Sequence, residues 1–353
     1  MVVAVLAAAS SAHAAPLAGI NAHVLWSDVD AAQAARQLDA VKAAGADFVE
    51  IDAGWSSLQE TGPNGFSSWH LGRLDNVVNQ ARSRGLRVVI TLLNSPCWAS
   101  SAPEDLKQGC VGSWWQRGVD RYGPTNPADY ARAVGSLASR YRGRVMAWEV
   151  WNEPNHADFF KGPERERRYV ELVRAAYPAI KRADPASLVI AGAISECDTV
   201  FVEKLFTLGI SGYFDAFSVH PYSQNASPLD PRWGRTVRTS FIRGVPAIRA
   251  IMVRYGSTKP MWLTEFGWST STVRDPYAPW NSGVSESDQA TYLEQAVTQA
   301  TSWGYVGGMA WYNLRNNNSV ATSLYGNYGL LRYDWSAKPA YAAFKRAAQK
   351  LHL

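Results

Sequence analysis

Short apolar runs and longer amphipathic stretches alternate along almost the whole chain. Eight runs are rich in β-branched and other apolar residues, a pattern typical of buried parallel strands, and they cover residues 20–23, 48–52, 87–93, 145–151, 188–191, 216–220, 261–265 and 308–312. The stretches that follow them repeat apolar residues at helical spacing and cover residues 30–44, 71–84, 127–141, 164–183, 199–208, 240–255, 285–303 and 337–351. Pro127 suits a first helical turn, and Gly45, Gly85 and Gly209 stand where helices are expected to end.

This alternation predicts one domain, a (β/α)8 TIM barrel that covers residues 16–353. An open, doubly wound sheet is the alternative. Such a sheet is expected to carry a glycine-rich phosphate-binding turn after an early strand, and the sequence contains neither GxGxxG nor GxxxxGK. Barrel enzymes carry their chemistry beyond the carboxyl ends of the strands, so the residues at those ends are the candidates for function.

Two glutamates stand at predicted strand ends among aromatic residues. Glu153 follows the fourth strand, and Glu265 ends the seventh. Two facing carboxyl groups are the minimal equipment for cleaving a glycosidic bond, since one protonates the leaving oxygen while the other stabilises or attacks the anomeric carbon. A barrel brings both strands to one rim, so the two glutamates are predicted to face each other. The alternative for either glutamate alone is a salt-bridged rim residue.

Composition and charge exclude several other classes of protein. The formal net charge of +5 arises from 35 Lys and Arg against 30 Asp and Glu without a run of five like charges, so nucleic-acid binding is not expected. No apolar stretch after the first residues approaches a membrane span, and the six histidines form no metal-binding motif, so we expect neither metal nor cofactor. The 15 tryptophans and 16 tyrosines suit binding surfaces as well as cores.

The start of the chain and the cysteines bear on localisation. Residues 1–15 are small and apolar, lack a basic residue, and resemble the remnant of a signal peptide because Ala-His-Ala at 12–14 matches a peptidase site; the alternative is a disordered start. Cys97 and Cys110 bracket a short loop and can close a disulfide, which leaves Cys197 as a buried thiol. These features favour a secreted or cell-envelope protein.

Several segments together resemble a known group of enzymes. The Trp-Asn-Glu-Pro segment at 151–154 and the Thr-Glu-Phe-Gly segment at 264–267 resemble clan A of the retaining glycoside hydrolases, and within it the chain is most similar to families 39 and 5. Supporting stretches follow the second, third and sixth strands, at 51–58, 94–98 and 220–222. Glu50 departs from the pattern, since related sequences often carry an arginine there.

The resemblance implies roles for residues at the strand ends. Glu153 is expected to be the general acid/base and Glu265 the nucleophile of a double displacement, with a raised pKa for the acid and an ionised nucleophile. Asn152 is expected to bind the substrate 2-hydroxyl, and Tyr222 is expected to donate a hydrogen bond to Glu265. His220 is expected to orient this network, with strand-end packing as its alternative.

Aromatic residues at the predicted strand ends are candidates for a sugar-binding surface. Trp311 is expected to form the floor beneath the sugar at the reaction centre, because the apolar face of a pyranose packs well on an indole. Further candidates for substrate contacts are Trp55, Trp98, Trp268 and Asn94. For each tryptophan, packing within the barrel is the alternative.

We therefore predict a monomeric, retaining glycoside hydrolase that cleaves O-glycosidic bonds in a polysaccharide or oligosaccharide. The spare aromatic residues favour endo action. The alternatives are an exo-acting enzyme, similar to xylosidases or arabinosidases, and a non-catalytic carbohydrate-binding barrel. A barrel isomerase or aldolase is disfavoured because no lysine stands at a predicted strand end.

Overall fold

The computed structural model of the protein describes residues 15–231, 237–275 and 282–353. Within them, eight parallel strands close into a barrel in which neighbours in the chain pair and the last strand pairs with the first. The strands are β1 (Leu17–Asn21), β2 (Phe48–Gly54), β3 (Arg87–Leu93), β4 (Ala147–Val150), β5 (Leu188–Ser195), β6 (Ala216–His220), β7 (Met261–Phe266) and β8 (Val306–Trp311). The predicted (β/α)8 TIM barrel is confirmed. Residues 1–14 of the predicted signal segment lie outside the described residues.

Helices follow the strands and surround the barrel. They are α1 (Ala31–Ala43), α2 (Trp55–Leu58), α3 (Ser68–Ser83), α4 (Glu104–Lys107), α5 (Pro127–Arg140), α6 (Arg165–Ala183), α7 (Thr199–Thr207), α8 (Phe241–Arg254), α9 (Glu286–Ser302) and α10 (Pro339–Leu351). Asp30 and Gln33 form a capping box at the start of α1, and Asn126 caps α5 ahead of Pro127. Gly45 follows α1 with a left-handed φ of 83°, which explains why a glycine ends this helix.

Large side chains fill the amino-terminal half of the barrel. Phe48 of β2 and Trp262 of β7 are buried inside it, with ring centroids 5.5 Å apart. A Cβ atom at Gly19 of β1 would lie 2.2 Å from the Phe48 ring, and one at Gly308 of β8 would lie 2.7 Å from the Trp262 ring. The two glycines therefore make room for the large rings, and this half of the barrel is closed by apolar packing.

The loop after β3 is closed by a disulfide between Cys97 and Cys110, and Cys197 is a buried free thiol. Both predictions for the cysteines are confirmed. The same loop carries Trp114, which is buried, and Trp115, which is 49 % exposed. In the part of the chain that the structure describes, no helix is long and apolar enough to cross a bilayer.

Candidate active site

The carboxyl-terminal rim of the barrel brings Glu153 and Glu265 together around His220. Nδ1 of His220 lies 3.1 Å from Oε1 of Glu153 and 3.6 Å from Oε2 of Glu265. One carboxylate oxygen of each glutamate lies within 4.8 Å of the other. Both carboxylates are largely buried, with 10 % and 13 % of their side chains exposed, whereas His220 is fully buried. Two acids and an imidazole thus share one small, poorly solvated volume.

The segment that carries Glu153 is held in an uncommon backbone conformation. Trp151 and Glu153 have φ angles of 69° and 41°, in the left-handed region that residues other than glycine rarely adopt. The Glu153 amide donates to the carbonyl of Ala193 at 3.0 Å. The Asn155 side chain accepts from the amide of Ser195 and donates to its carbonyl, at 2.9 and 3.0 Å. Strand β5 therefore holds this segment and aims Glu153. Asn152, which precedes Glu153, is also buried.

Three tyrosines surround Glu265. The hydroxyl of Tyr222 donates to Oε2 of Glu265 at 2.6 Å, the contact predicted from the sequence. Tyr328 packs edge to face against Tyr222 and Tyr312, with centroid distances of 5.7 and 5.8 Å. Burial and then the charge of Glu265 raise the pKa of Tyr222 and Tyr312 above its usual range, so both hydroxyls stay protonated as donors.

The pKa of Glu265 lies above the value expected for an ionised nucleophile. Burial, with the charges of Glu153 and Asp52, raises the pKa of Glu265 to about 8, although the His220 cation and the Tyr222 hydroxyl act in the opposite direction. Burial alone would lower the pKa of His220, but Glu265 and Glu153 outweigh it and raise that pKa to about 9. An ionised Glu265 and a protonated His220 stabilise each other, so the protonation states of the two groups are coupled.

Asp52 of β2 places a third carboxyl group beside the pair. Burial and the charge of Glu149 raise the pKa of Asp52 to about 6, and the charge of Asp52 in turn raises the pKa of Glu265. Asp52 is a site residue for which the sequence predicted no role. The signal was its place near the carboxyl end of the second predicted strand, the same rule that identified the two glutamates.

Three of the predicted sugar-contacting tryptophans lie in the wall of the barrel. Trp55, Trp268 and Trp311 are each at most 1 % exposed. Trp311 packs against Phe266 and Trp268, with centroid distances of 5.5 and 6.0 Å, and its indole donates to the Tyr328 carbonyl. A side chain without accessible surface cannot contact a ligand, so packing replaces the predicted roles of these residues.

Tyr312, for which the sequence predicted no role, lies near Glu265, since burial and then the charge of Glu265 raise the pKa of its hydroxyl. It follows Trp311 directly, is partly exposed, and its centroid lies 6.5 Å from that of Tyr222. Trp311 is the last residue of β8 and is buried in the barrel wall, whereas Tyr312 follows the strand and lies on the side of Glu265. No signal in the sequence distinguishes these two adjacent rings.

The remaining two predicted contacts, Trp98 and Asn94, are both partly exposed at the end of β3. The Trp98 indole donates to the carbonyl of Gln59 at 2.8 Å, and the Asn94 amide donates to Oδ2 of Asp120 at 2.8 Å. These bonds fix both side chains at the rim, but neither residue contacts Glu153 or Glu265 through them.

One cluster of side chains has the composition of a metal site. Glu153, His220 and Glu265 each offer one ligand atom, and the three atoms lie within 4.8 Å of one another. The same side chains also bind one another and a neighbour: His220 lies at hydrogen-bonding distance from Glu153, and Tyr222 donates to Glu265. These hydrogen bonds explain why the three groups lie together.

The chain is similar to known glycoside hydrolases. Residues 8–308 match the model of the cellulase family, glycosyl hydrolase family 5. The chain is 26 % identical over 282 residues to a probable mannan endo-1,4-beta-mannosidase C of Aspergillus terreus, which covers 74 % of the chain and 66 % of that protein. It is 25 % identical over 297 residues to a beta-xylosidase of Caldicellulosiruptor saccharolyticus, which covers 80 % of the chain and 57 % of that protein. The chain thus spans less than two thirds of either relative.

A solved structure shares the fold. A family 39 glycoside hydrolase from the gut symbiont Bacteroides cellulosilyticus WH2 superposes with a TM-score of 0.71 at 22 % sequence identity. The superposition covers 96 % of this chain and 64 % of that one.

Proposed function

The chain belongs to the cellulase family, glycosyl hydrolase family 5, and on this premise we propose that it is a retaining, endo-acting glycosidase of a polysaccharide or oligosaccharide. The spacing of Glu153 and Glu265, with carboxylate oxygens within 4.8 Å of each other, carries the proposal. Retaining enzymes place their two carboxyl groups about 5–5.5 Å apart, whereas inverting enzymes leave about 6.5–9.5 Å for a water molecule.

In the first step, Glu265 attacks the anomeric carbon while Glu153 protonates the leaving oxygen, which forms a covalent glycosyl-enzyme. This step needs the proton on Glu153 and the charge on Glu265. Nδ1 of His220 faces both carboxylates, so the imidazolium can give its Nδ1 proton to Glu153 and take one from Glu265. The donated bond from Tyr222 stabilises the ionised form of Glu265.

In the second step, Glu153 removes a proton from water as the water attacks the glycosyl-enzyme, and Glu265 leaves. Two displacements at one carbon restore its configuration. Because Glu153 acts first as an acid and then as a base, the two steps return the site to its starting protonation.

Exposed aromatic rings on the catalytic rim support endo action. They lie in segments between a strand and the helix that follows it, or in the first turn of that helix: Trp26, Trp69, Trp115, Phe159 and Tyr325. Such segments lie on the carboxyl-terminal face of a barrel. Their exposures range from 36 to 78 %, and rings of this kind can hold the flat faces of several sugar units on either side of the bond that is cleaved.

The test of this function is product size during the hydrolysis of mannan, xylan and cellulose. We expect early products from one of them to be a mixture of oligosaccharides, with a rapid fall in polymer length. Release of only a monosaccharide from chain ends would show exo action, the alternative favoured by the similarity to a beta-xylosidase. If the protein binds a polysaccharide but forms no product from any substrate, it is a non-catalytic carbohydrate-binding barrel and the proposed function is wrong.

Tyr312→Ala is expected to lower kcat/KM on the preferred substrate about tenfold, because one ring stacked on the sugar is worth up to about 1.5 kcal/mol. Trp311→Phe is the matched control: it shortens the neighbouring ring, which is buried in the barrel wall. This control is expected to lower Tm and to leave kcat/KM unchanged. A larger kinetic effect from Trp311→Phe would restore the role predicted for Trp311.

We also propose that the protein acts outside the cytoplasm. The disulfide between Cys97 and Cys110 supports this, since structural disulfides persist mainly in oxidising compartments. Fractionation of the native host is expected to recover the protein from medium or envelope, and recovery from cytosol with free thiols at both positions would contradict it.

A further inference from the structure

A buried carboxylate lies beneath the catalytic pair, inside the barrel. Glu149 of β4 is 1 % exposed. Its Oε1 accepts hydrogen bonds from Ser218 at 2.5 Å and from Thr264 at 2.9 Å, and its Oε2 accepts from Thr91 at 3.0 Å. Three strands, β6, β7 and β3, thus each supply one hydroxyl group to a single carboxylate. A buried carboxylate is costly, and this set of donors compensates for the water that it has lost.

Thr264 links this carboxylate to the catalytic histidine. Its Oγ1 lies 2.9 Å from Glu149 and 3.2 Å from Nε2 of His220. A hydroxyl group has one hydrogen, and Thr264 donates it to Glu149, so its oxygen faces Nε2 as an acceptor. Nε2 must therefore carry a proton, and Nδ1 is left facing Glu153 and Glu265.

Other titratable groups face Glu149 from the neighbouring elements. Glu50 on β2 shares the Thr91 hydroxyl, at 3.1 Å, and burial followed by the charge of Glu149 raises its pKa well above the usual range. Asp52 also lies on β2, and the hydroxyls of Tyr130 and Tyr169 donate to backbone carbonyls rather than to Glu149. No lysine or arginine among the described residues forms an ion pair with Glu149. The negative charge of Glu149 instead favours the protonated form of His220 and raises its pKa.

We propose that Glu149 is a positioning residue that acts through Thr264 to fix the proton on Nε2 of His220 and to keep the imidazolium form between Glu153 and Glu265. It touches neither the substrate nor the reacting atoms. The arrangement follows the general rule that a histidine at a reaction centre is oriented by a hydrogen bond to its other nitrogen. The kinetic part of the inference rests on the proposed function, whereas the state of the histidine does not.

The first experiment measures the pKa and tautomer of His220 by NMR of ¹⁵N-histidine-labelled full-length protein, with the signal assigned by comparison with His220→Gln. The wild-type pKa is expected at about 9. In Thr264→Val, which removes the link without a change of charge, this pKa is expected to fall by about 1 or more. Glu149→Gln is expected to have the same effect. If Glu149→Gln does not fold, Thr264→Val carries the test alone.

Thr91→Val is the matched control, because it is the same substitution at the other oxygen of the same carboxylate, away from His220. It is expected to leave the His220 pKa at the wild-type value. A wild-type pKa and tautomer in both Thr264→Val and Glu149→Gln would overturn the proposal. An equal shift in Thr91→Val would also overturn it, since the effect would then come from any lost buried hydrogen bond.

The second experiment compares pH profiles of kcat/KM. The alkaline limb of this profile reports the loss of the last proton shared by Glu153 and Glu265. It is expected near the Glu265 pKa of about 8. The His220 cation lowers the pKa of Glu265, so loss of this cation in Thr264→Val is expected to move the alkaline limb to higher pH. The kcat of the variant is expected to be about 10–100-fold lower than that of the wild type. A lower kcat with an unmoved limb would indicate a structural role and contradict the proposal. Inactive wild-type enzyme would refute the proposed function, while the NMR experiment would still decide the role of Glu149.

Discussion

Glu265→Gln is expected to lower kcat on every glycoside by on the order of 10⁴-fold or more, because no covalent intermediate can form without the carboxylate. Glutamine keeps the shape of the side chain and can still accept the bond from Tyr222, so the fold is expected to be retained. Activated aryl glycosides are not expected to restore turnover, since a better leaving group does not replace the nucleophile. The measurement is kcat on an aryl glycoside and on the preferred polysaccharide, with Tm as the check of folding.

The control for Glu265→Gln is Glu196→Gln, at the residue that directly follows β5. The backbone of Glu196 pairs with that of His220, but its side chain forms an ion pair with Arg238, so a change of the side chain alone is expected to keep the wild-type kcat. Residual turnover of Glu265→Gln within about tenfold of wild type would show that Glu265 is not the nucleophile.

The effect of Glu153→Ala on turnover is expected to depend on the leaving group of the substrate. On natural linkages kcat is expected to fall about 10²–10⁴-fold, because the departing oxygen needs a proton. A dinitrophenyl glycoside needs none, so its glycosyl-enzyme is expected to form at nearly the wild-type rate and then to accumulate, since no base activates water. Burst kinetics on that substrate measures both steps.

Azide distinguishes the two glutamates. With a β-glycoside as the substrate, azide in Glu153→Ala is expected to intercept the glycosyl-enzyme and to give a β-configured glycosyl azide. In Glu265→Ala it is expected to replace the nucleophile and to give the α-configured product. The opposite configurations would reverse the assigned roles, and failure of azide to react in either variant would contradict double displacement.

The strand pattern was enough to predict the barrel and the shared position of Glu153 and Glu265 at its rim. Strands β3 and β6 have the predicted bounds, because a charged residue, Arg87 or Asp215, stands where each strand begins and a polar residue stands where each ends. The two glutamates follow from the rule that chemistry lies at the carboxyl ends of the strands. Strand β1 begins three residues before the predicted start, since its first residues, Leu17 to Gly19, are small or apolar and carry no boundary signal.

The distinction between Trp311 and Tyr312 was beyond the sequence. Both are aromatic and adjacent, and either can stack on a sugar. Which of them faces the carboxylates depends on the register of β8 against its neighbours, where Trp311 pairs with Ile20 and Phe266. A shift of one residue would exchange the two sides, so composition and spacing carry no information about the choice.

The role of Glu149 was equally inaccessible from the sequence. It lies within an apolar strand, four positions before Glu153, and nothing local shows that its carboxylate is satisfied. The hydroxyls that satisfy it come from Thr91, Ser218 and Thr264, on three other strands. Only the closed barrel brings these groups together, and a hydrogen-bond network of this kind becomes visible when the partners are placed in space.

The most direct test of the catalytic pair is covalent labelling by a panel of 2-deoxy-2-fluoro glycosides, followed by intact-mass and peptide analysis. The fluorine slows both steps, and a good leaving group lets the first step proceed, so the glycosyl-enzyme accumulates. One sugar of the panel is expected to add its mass once per chain, on the peptide that contains Glu265, and Glu265→Gln is expected to abolish the label. A label on Glu153 or on any other residue, or no label from any sugar of the panel, would contradict the assignment of Glu265 as the nucleophile of a retaining glycosidase.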